Sequence, residues 1–207
     1  MKKVFQLLLL VVIVGLGYLL FREFATPMEF QTIQKQRDAE VVNRLKDIRL
    51  AQRAYRTAYQ RFTPSMDTLI NFVMNDSMIY ERAVGSADDS LAVAQGRVRR
   101  EQFKVPVRDT VFAGRNLTNA QIEDFRNIPY GNGQKIIMDA GTLETGSGVV
   151  IQVFEAKAPY KAYLTIEGYE QELVNLIDQR KALSKYPGMK VGSMTEATNE
   201  AGNWEQL

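Results

Sequence analysis

Cysteine and histidine are both absent from the 207 residues of this chain. Without cysteine the protein forms no disulfide and carries no lipid on a cysteine, so its fold must rest on an apolar core. The two absences also exclude Ser-His-Asp and Cys-His catalysis and the usual zinc and transition-metal sites. Phosphate-binding loops and dinucleotide fingerprints are missing too. We therefore predict no catalytic residue, no metal and no cofactor.

Carboxylate chemistry is the one catalytic option that this inventory leaves open, because a pair of acids is enough to cleave a glycosidic bond. The nearest candidates are Asp88-Asp89 and Glu123-Asp124. Adjacent acids point in different directions on regular elements. We interpret both pairs as solvated surface and predict that the protein is not an enzyme, with a carboxylate-only hydrolase as the third hypothesis for its function.

Charge is balanced in total but unevenly distributed. The net charge is +2, yet residues 1–61 carry eleven basic and five acidic side chains, whereas residues 139–207 carry six and ten. This distribution allows attraction between neighbouring copies, although solvated faces account for most of these charges. Hydrophobic residues make up 45% of the chain and aromatics 10%, which is typical of a folded domain and not of a disordered one.

Residues 4–21 form one long apolar run that only Gln6 interrupts. As a helix these eighteen residues span about 27 Å, close to the roughly 30 Å of a bilayer core. Lys2 and Lys3 precede the run, and Arg22 and Glu23 follow it. The run predicts a transmembrane anchor, with a cleaved secretory signal as the alternative. The flanking charges predict a cytoplasmic amino terminus and a periplasmic domain at a bacterial inner membrane.

Beyond the anchor the pattern predicts an α+β protein, with an amphipathic stem helix packed on a mainly antiparallel sheet domain and further helices. The predicted parts are a short cytoplasmic amino terminus with its anchor (1–27), a stem helix (28–62), an extracytoplasmic α+β domain (63–194) and a polar carboxyl-terminal tail (195–207). Pro27 predicts a break or kink between anchor and stem. Thr63 and Pro64 predict the cap and the first position of the next helix.

Secondary structure in the domain is predicted from periodicity and turn signals. We expect strands at 78–84, 105–112, 135–139, 149–155 and 162–166, an edge strand at 189–192, and a hairpin connection at 141–148. We expect helices at 88–95, 119–126 and 169–184, the last with Leu173, Leu176, Ile177 and Leu183 directed inward.

The stem helix carries one apolar stripe. Its members lie on the same helical face, and they are Val41, Leu45, Ile48, Tyr55 and Tyr59. We favour packing against the protein's own sheet, with an interface to a partner or another copy as the alternative. Trp204 stands alone in the polar tail, and we predict that it docks on its own domain, with anchoring to a partner as the alternative.

One basic cluster interrupts the middle of the chain. It comprises Arg97, Arg99, Arg100 and Lys104. Such patches bind nucleic acid or anionic lipid in some proteins, but this one is short and has Asp88, Asp89 and Asp109 close by in the sequence. We predict contact with an acidic partner or none, and no nucleic acid.

Two stretches of the stem region resemble a known family. Residues 44–55 read RLKDIRLAQRAY and residues 61–69 read RFTPSMDTL. They are similar to the stem and following turn of type IV pilins and type II secretion pseudopilins, over about residues 4–73. The resemblance implies a membrane helix that continues into a stem packed on a sheet. The chain lacks the Gly-Phe cleavage site and the early glutamate of pilins. These differences from the family it resembles predict a permanently anchored relative.

The rest of the chain, notably residues 153–160 and 187–193, is similar to uncharacterised bacterial envelope proteins. The sequence therefore predicts a single-pass membrane-anchored scaffold subunit, pseudopilin-like, of an envelope-spanning secretion or pilus-like apparatus. Its expected partners are the bilayer through residues 4–21, other envelope proteins and copies of itself. The alternative function is an anchored periplasmic binding module for a peptide, polysaccharide or peptidoglycan ligand.

Overall fold

One long helix, α1, runs from Lys2 to Tyr59 in the computed structural model of the protein. The structure describes residues 2–84 and 99–205, with side chains except those of residues 19–25, 83, 84, 99 and 100. The helix continues through Pro27, where the sequence predicted a break or kink, and the backbone shows no break there. A proline removes one backbone hydrogen bond, and the turns on either side keep the helix continuous. The predicted boundary at residue 27 therefore lies inside a single helix.

The remaining elements are short. The further helices are α2 Met66–Asn75, α3 Val107–Val111, α4 Asn119–Glu123 with a 3₁₀ turn at Asp124–Arg126, α5 Tyr160–Tyr163 and α6 Glu170–Ala182. The strands are β1 Ser77–Val84, β2 Arg99–Pro106, β3 Ile137–Glu144, β4 Val150–Pro159 and β5 Gly188–Gly192. All pairings between these strands are antiparallel. β1 and β2 form a two-stranded ribbon, and β3, β4 and β5 form a three-stranded sheet in that order. The prediction of an α+β fold with antiparallel sheets is confirmed.

Several predicted elements are present. The strand at 78–84, the helices at 119–126 and 169–184 and the edge strand at 189–192 are confirmed, with ends that shift by one to three residues. The predicted helix at 88–95 lies outside the described residues. The predicted hairpin connection at 141–148 is wrong in its bounds, because β3 continues to Glu144 and the turn is closed by the Thr145 amide donating to the Val149 carbonyl at 2.9 Å.

Two predicted strands are wrong, each because a proline ends an extended segment. In the predicted strand at 105–112, β2 ends at Pro106 and α3 follows at once. In the predicted strand at 162–166, β4 ends at Pro159 and α5 follows. A proline that ends a strand offers no amide to the ladder but suits the start of a helix.

The start of α2 differs from its prediction. Ser65 is the N-cap, and its side-chain oxygen accepts a hydrogen bond from the Thr68 amide at 3.3 Å. The Thr63 hydroxyl instead accepts from the Ser65 amide at 3.2 Å and so shapes the turn before the helix. Pro64 consequently lies in that turn and not at the first helical position.

At the end of α6, Leu183 is exposed, contrary to its predicted inward orientation.

The core lies between the distal part of α1 and the elements packed around it. Its fully buried members come from the stem, from helices α2 to α5 and from the sheet, and include Leu45, Ile48, Leu69, Phe154, Tyr160 and Tyr163. Gln52 is buried among them. Its amide nitrogen donates to the Thr63 carbonyl at 2.6 Å and its oxygen accepts from the Thr63 amide at 3.1 Å. These two bonds hold the turn after α1 against the stem.

Candidate functional site

The stem stripe predicted from the sequence is mostly buried inside the protein's own domain. Val41, Leu45 and Ile48 have no exposed surface, and Tyr55 is almost covered. Tyr59 is half exposed, and its hydroxyl donates to Asp76 Oδ2 at 2.9 Å. The rings of Tyr55 and Tyr59 both pack against Phe72 of α2. The stripe therefore joins the stem to the domain, and its buried members are closed to other proteins.

The amino-terminal half of α1 behaves in the opposite way. The large apolar side chains from Val4 to Tyr18 are between 47% and 71% exposed, so the rest of the described chain leaves them uncovered. Among the described side chains, no helix is both long enough and apolar enough to cross a membrane. Among the described side chains of α1, Phe30 is the first that is buried; it is 3% exposed and stacks on Tyr169. Next to it the Tyr169 hydroxyl donates to Glu29 Oε2 at 2.8 Å.

Ion pairs connect charged side chains of the stem to other parts of the same chain. Arg44 Nη2 lies 2.7 Å from Asp124 Oδ2, and Arg115 Nη2 donates to Asp47 Oδ2 at 3.0 Å. The hydrogen bond to Asp47 raises the pKa of Arg115 above its ordinary value. Burial works to raise the pKa of Asp124, but the bonds from Arg44 and Asn127 outweigh it and hold that pKa below its ordinary value. Both ion pairs therefore join the stem to other parts of the same molecule.

The carboxyl-terminal segment continues this pattern. Residues 195–205 follow an ordered path beside β5, where the Gly192 amide donates to the Ala201 carbonyl at 3.0 Å and Val191 bridges to Gly202. Arg49 Nη1 reaches Glu205 Oε1 at 2.7 Å. That hydrogen bond lowers the pKa of Glu205. The polar tail predicted from the sequence therefore folds back onto the stem.

Glu200 is the centre of the contact between tail and stem. It is buried, and its carboxylate pairs with both Arg53 and Arg56, the latter at 2.7 Å. Asn199 and Glu200 have φ values of 50° and 62°, in the left-handed region that non-glycine residues rarely occupy. The unusual backbone places the Glu200 side chain under the two guanidinium groups.

Replacing Glu200 by alanine should lower the free energy of unfolding by about 1–2 kcal/mol. Removing one side of a buried pair costs more than this, but both arginines are nearly half exposed and keep their water. Urea unfolding followed by the emission of Trp204, the only tryptophan, measures the loss. The control is Glu196→Ala, because Glu196 is exposed in the same segment. Equal stability of the two variants would contradict a structural role for Glu200.

Trp204 packs against the core and is partly buried. Its indole Nε1 is buried and has no hydrogen-bond partner among the described residues. The ring lines an open depression of about 380 Å³ together with Val42, Arg180 and Met189. Trp204 therefore lies against its own domain, as the sequence analysis favoured, and its indole ring is available as a probe of that packing.

A partly buried carboxyl group, that of Asp38, lines the same depression. Asp38 Oδ1 accepts from the Tyr163 hydroxyl at 2.6 Å, and Oδ2 accepts from the Gln34 amide at 3.2 Å. Burial raises the pKa of Asp38, and the hydrogen bonds and Arg180 oppose this only in part. Burial and the neighbouring Asp38 also raise the pKa of Tyr163. Because the groups bonded to Asp38 are a phenol and an amide, this cluster ties the stem to α5 and is not an acid pair.

Glu123 and Asp124, the described members of the acids singled out in the sequence, do not form such a pair. Asp88 and Asp89 lie outside the described residues. Asp124 is held by Arg44, while Glu123 is exposed. Within residues 2–84 and 99–205 no three acidic side chains converge closely enough to hold a metal ion. In the basic cluster, Arg97 and the side chains of Arg99 and Arg100 also lie outside the part of the chain that the structure describes. Lys104 is exposed on β2, opposite Ile79.

An apolar groove lies beside α6, and the sequence analysis missed it. It is open and has a volume of about 560 Å³. Its apolar lining residues are Pro159, Ile166, Leu173, Val174, Ile177 and Pro187. Its polar lining residues include Lys161, Glu170, Asp178 and Lys181. No local signal reveals it, because its walls come from separate elements that only the fold brings together.

The chain matches no protein-family model, no curated protein and no solved structure. The arrangement of its own residues therefore carries the functional argument.

Proposed function

We propose that this protein is a single-pass membrane-anchored scaffold subunit, pseudopilin-like, of an envelope-spanning secretion or pilus-like apparatus. The observation that carries the proposal is the division of α1 into two halves. One half is an uncovered apolar helix, and the other is built into the core of a folded domain. A helix of this kind holds a domain at a set distance and angle from the bilayer, which is what a scaffold requires.

The dimensions of α1 support this role. The apolar run ends at Phe21, three residues beyond the last described side chain of the run, Tyr18. From Phe21 to Phe30, the first buried side chain among those described in α1, the helix rises about 14 Å. This length clears the headgroup layer, which is roughly 5–8 Å thick on each side of the hydrocarbon core. The domain then sits just outside the membrane surface and faces other envelope proteins.

The absence of cysteine makes the proposed orientation directly testable. We expect Lys35→Cys, on the exposed face of the stem, to react with a membrane-impermeant maleimide in intact spheroplasts of an expressing bacterium. Lys3→Cys should react only after the membrane is permeabilised, because the positive flank stays in the cytoplasm. Labelling of Lys3→Cys in intact spheroplasts would overturn the orientation, and recovery of both variants in the soluble fraction would overturn the anchor.

An anchored periplasmic binding module is the second candidate. The groove beside α6 favours it, because its volume and apolar lining fit a small ligand or a peptide side chain. Photocrosslinking from a benzophenone maleimide attached to Gln36→Cys, on the exposed face of the stem, separates the two candidates. A scaffold subunit should give repeated adducts with other membrane proteins, whereas a binding module should remain a monomer with free stem surface.

A further inference from the structure

The ribbon formed by β1 and β2 projects from the domain. Each strand has eight residues, so the ribbon is about 26 Å long. At its base the Val107 amide donates to the Asp76 carbonyl at 2.9 Å, and the strands contact α2 and α3 there. Most described side chains of the ribbon are exposed. A two-stranded ribbon by itself is only marginally stable in water, so this one needs support from another surface.

The register of the ribbon separates its side chains into two faces. Residues directly opposite each other in an antiparallel pair lie on the same face, and neighbours along a strand alternate. One face, here called the aromatic face, carries the pairs Met78–Val105, Tyr80–Phe103 and Arg82–Glu101. The other face carries Ile79–Lys104 and Glu81–Gln102, and the Gln102 amide donates to Glu81 Oε1 at 2.8 Å.

The aromatic face is apolar near the domain and charged farther out. The rings of Tyr80 and Phe103 stack with centroids 6.0 Å apart. Phe103 is nevertheless 45% exposed, so the pair does not cover itself. Arg82 Nη2 and Glu101 Oε2 form a long, exposed contact of 3.5 Å beyond the rings. Phe103 is exposed, Tyr80 is partly buried, and charges of opposite sign border the two rings; an aromatic patch with a polar rim is typical of a protein interface.

We propose that the aromatic face packs on the same face of a second copy of this chain. A two-fold axis parallel to the ribbon places each β1 residue opposite the β2 residue with which it pairs in its own chain. Met78 is partly buried against the protein's own core, so the contact lies farther out, where Tyr80 meets Phe103 of the other copy and Arg82 meets Glu101. The face is thus complementary to itself in both apolar and charged positions, and two sheets stack at about 10 Å.

The proposed contact gives the scaffold subunit a partner, a second copy of itself. It rests on the proposed function, because it requires both copies to be anchored in one membrane. A ribbon face is smaller than the roughly 800 Å² per partner of a standard interface, so association in dilute solution should be weak. Anchoring two copies in one bilayer raises their effective concentration and favours the contact. The stem and its anchor therefore supply the proximity, and the ribbon supplies the specificity.

Thiol crosslinking of the full chain tests the contact, because the native sequence offers no competing cysteine. Phe103→Cys and Gln102→Cys are matched variants, since they are neighbours on β2 that lie on opposite faces. With a bismaleimide that spans about 10 Å, the sheet-to-sheet distance, Phe103→Cys should give several-fold more dimer than Gln102→Cys. Equal yields, or adducts of Phe103→Cys only with a different protein in cells, would overturn the proposal.

Charge reversal distinguishes contact between copies from stability within one ribbon. In the Phe103→Cys background, Arg82→Glu alone and Glu101→Arg alone should each lower the dimer yield, since like charges then face each other. A mixture of the two chains should recover it, because the charges become opposite across the interface while each ribbon stays mismatched. A mixture that crosslinks no better than either chain alone would contradict the two-fold arrangement.

The crosslinking is carried out both in detergent and in lipid vesicles at equal protein concentration. Retention of the chain in vesicles after an alkaline wash measures anchoring independently of dimer yield. Dimers of Phe103→Cys in detergent without vesicle retention would support the ribbon contact and refute the anchor. Vesicle retention with equal crosslinking of Phe103→Cys and Gln102→Cys would support the anchor and refute the ribbon contact.

Discussion

The Leu45→Asp variant should lose its folded domain or retain only a small fraction of it. Leu45 has no exposed surface, so the substitution removes its apolar contacts and buries a carboxylate with no partner. We expect a loss of about 5 kcal/mol or more, against a total stability of about 5–15 kcal/mol for a typical domain. Thermal unfolding of the full chain in detergent measures it, with near-UV circular dichroism and Trp204 emission as reporters.

The matched control is Asn43→Asp, which places the same new charge two residues away on the exposed face of the stem. Its effect should stay within about 0.5 kcal/mol. If Leu45→Asp instead melted like the unsubstituted chain, the stripe would face a partner in the assembled state and the domain core would lie elsewhere. The same comparison applied to Ile48→Asp should give the same result, because Ile48 is equally buried.

Two arginines in the apolar run should release the protein from the membrane. Leu9 and Ile13 lie one helical turn apart and are at least half exposed, so Leu9→Arg with Ile13→Arg leaves the domain core untouched. Each arginine at the centre of a spanning helix costs about 2.5–3.5 kcal/mol, so the pair costs about 5–7 kcal/mol. We expect the unsubstituted chain in the membrane pellet after washing at high pH, and the double variant largely in the supernatant.

The control for this experiment carries the same two arginines outside the run. Thr32 and Gln36 have the same spacing and are exposed, so Thr32→Arg with Gln36→Arg should remain in the pellet. Release of both double variants would attribute the effect to charge in general and would refute anchoring by the run. The intact mass of the membrane-bound chain also decides between anchor and cleaved signal, because cleavage removes the run.

Periodicity predicted the stem correctly, because a helix with one apolar face leaves a spacing that the sequence displays directly. Val41, Leu45 and Ile48 could be assigned to one face with no knowledge of what covers them. A different signal, the charges at the helix ends, supported the prediction of α6, where acidic residues begin the helix and basic residues end it. The predictions of strands at 105–112 and 162–166 were wrong because a short apolar run fits a strand or a helix equally well. Their prolines decided the outcome.

The candidate interaction surfaces were harder to predict than the elements that form them. The aromatic face depends on the register that pairs Tyr80 with Phe103, and register is a property of two segments together. The groove beside α6 depends on Pro159 and Pro187 approaching Val174 from different parts of the chain. Neither arrangement leaves a signal within one stretch of sequence.

By itself, the sequence determined which kinds of catalysis and metal site are excluded, where the apolar run lies and which face of the stem is apolar. These follow from composition and from spacing along one helix, which are local properties. Tertiary structure decided how the charges are used. Arg49, Arg53 and Arg56 of the stem pair with Glu200 and Glu205, residues that lie between 144 and 156 positions away. Opposite charges attract at any sequence separation, and only the fold sets which of them meet.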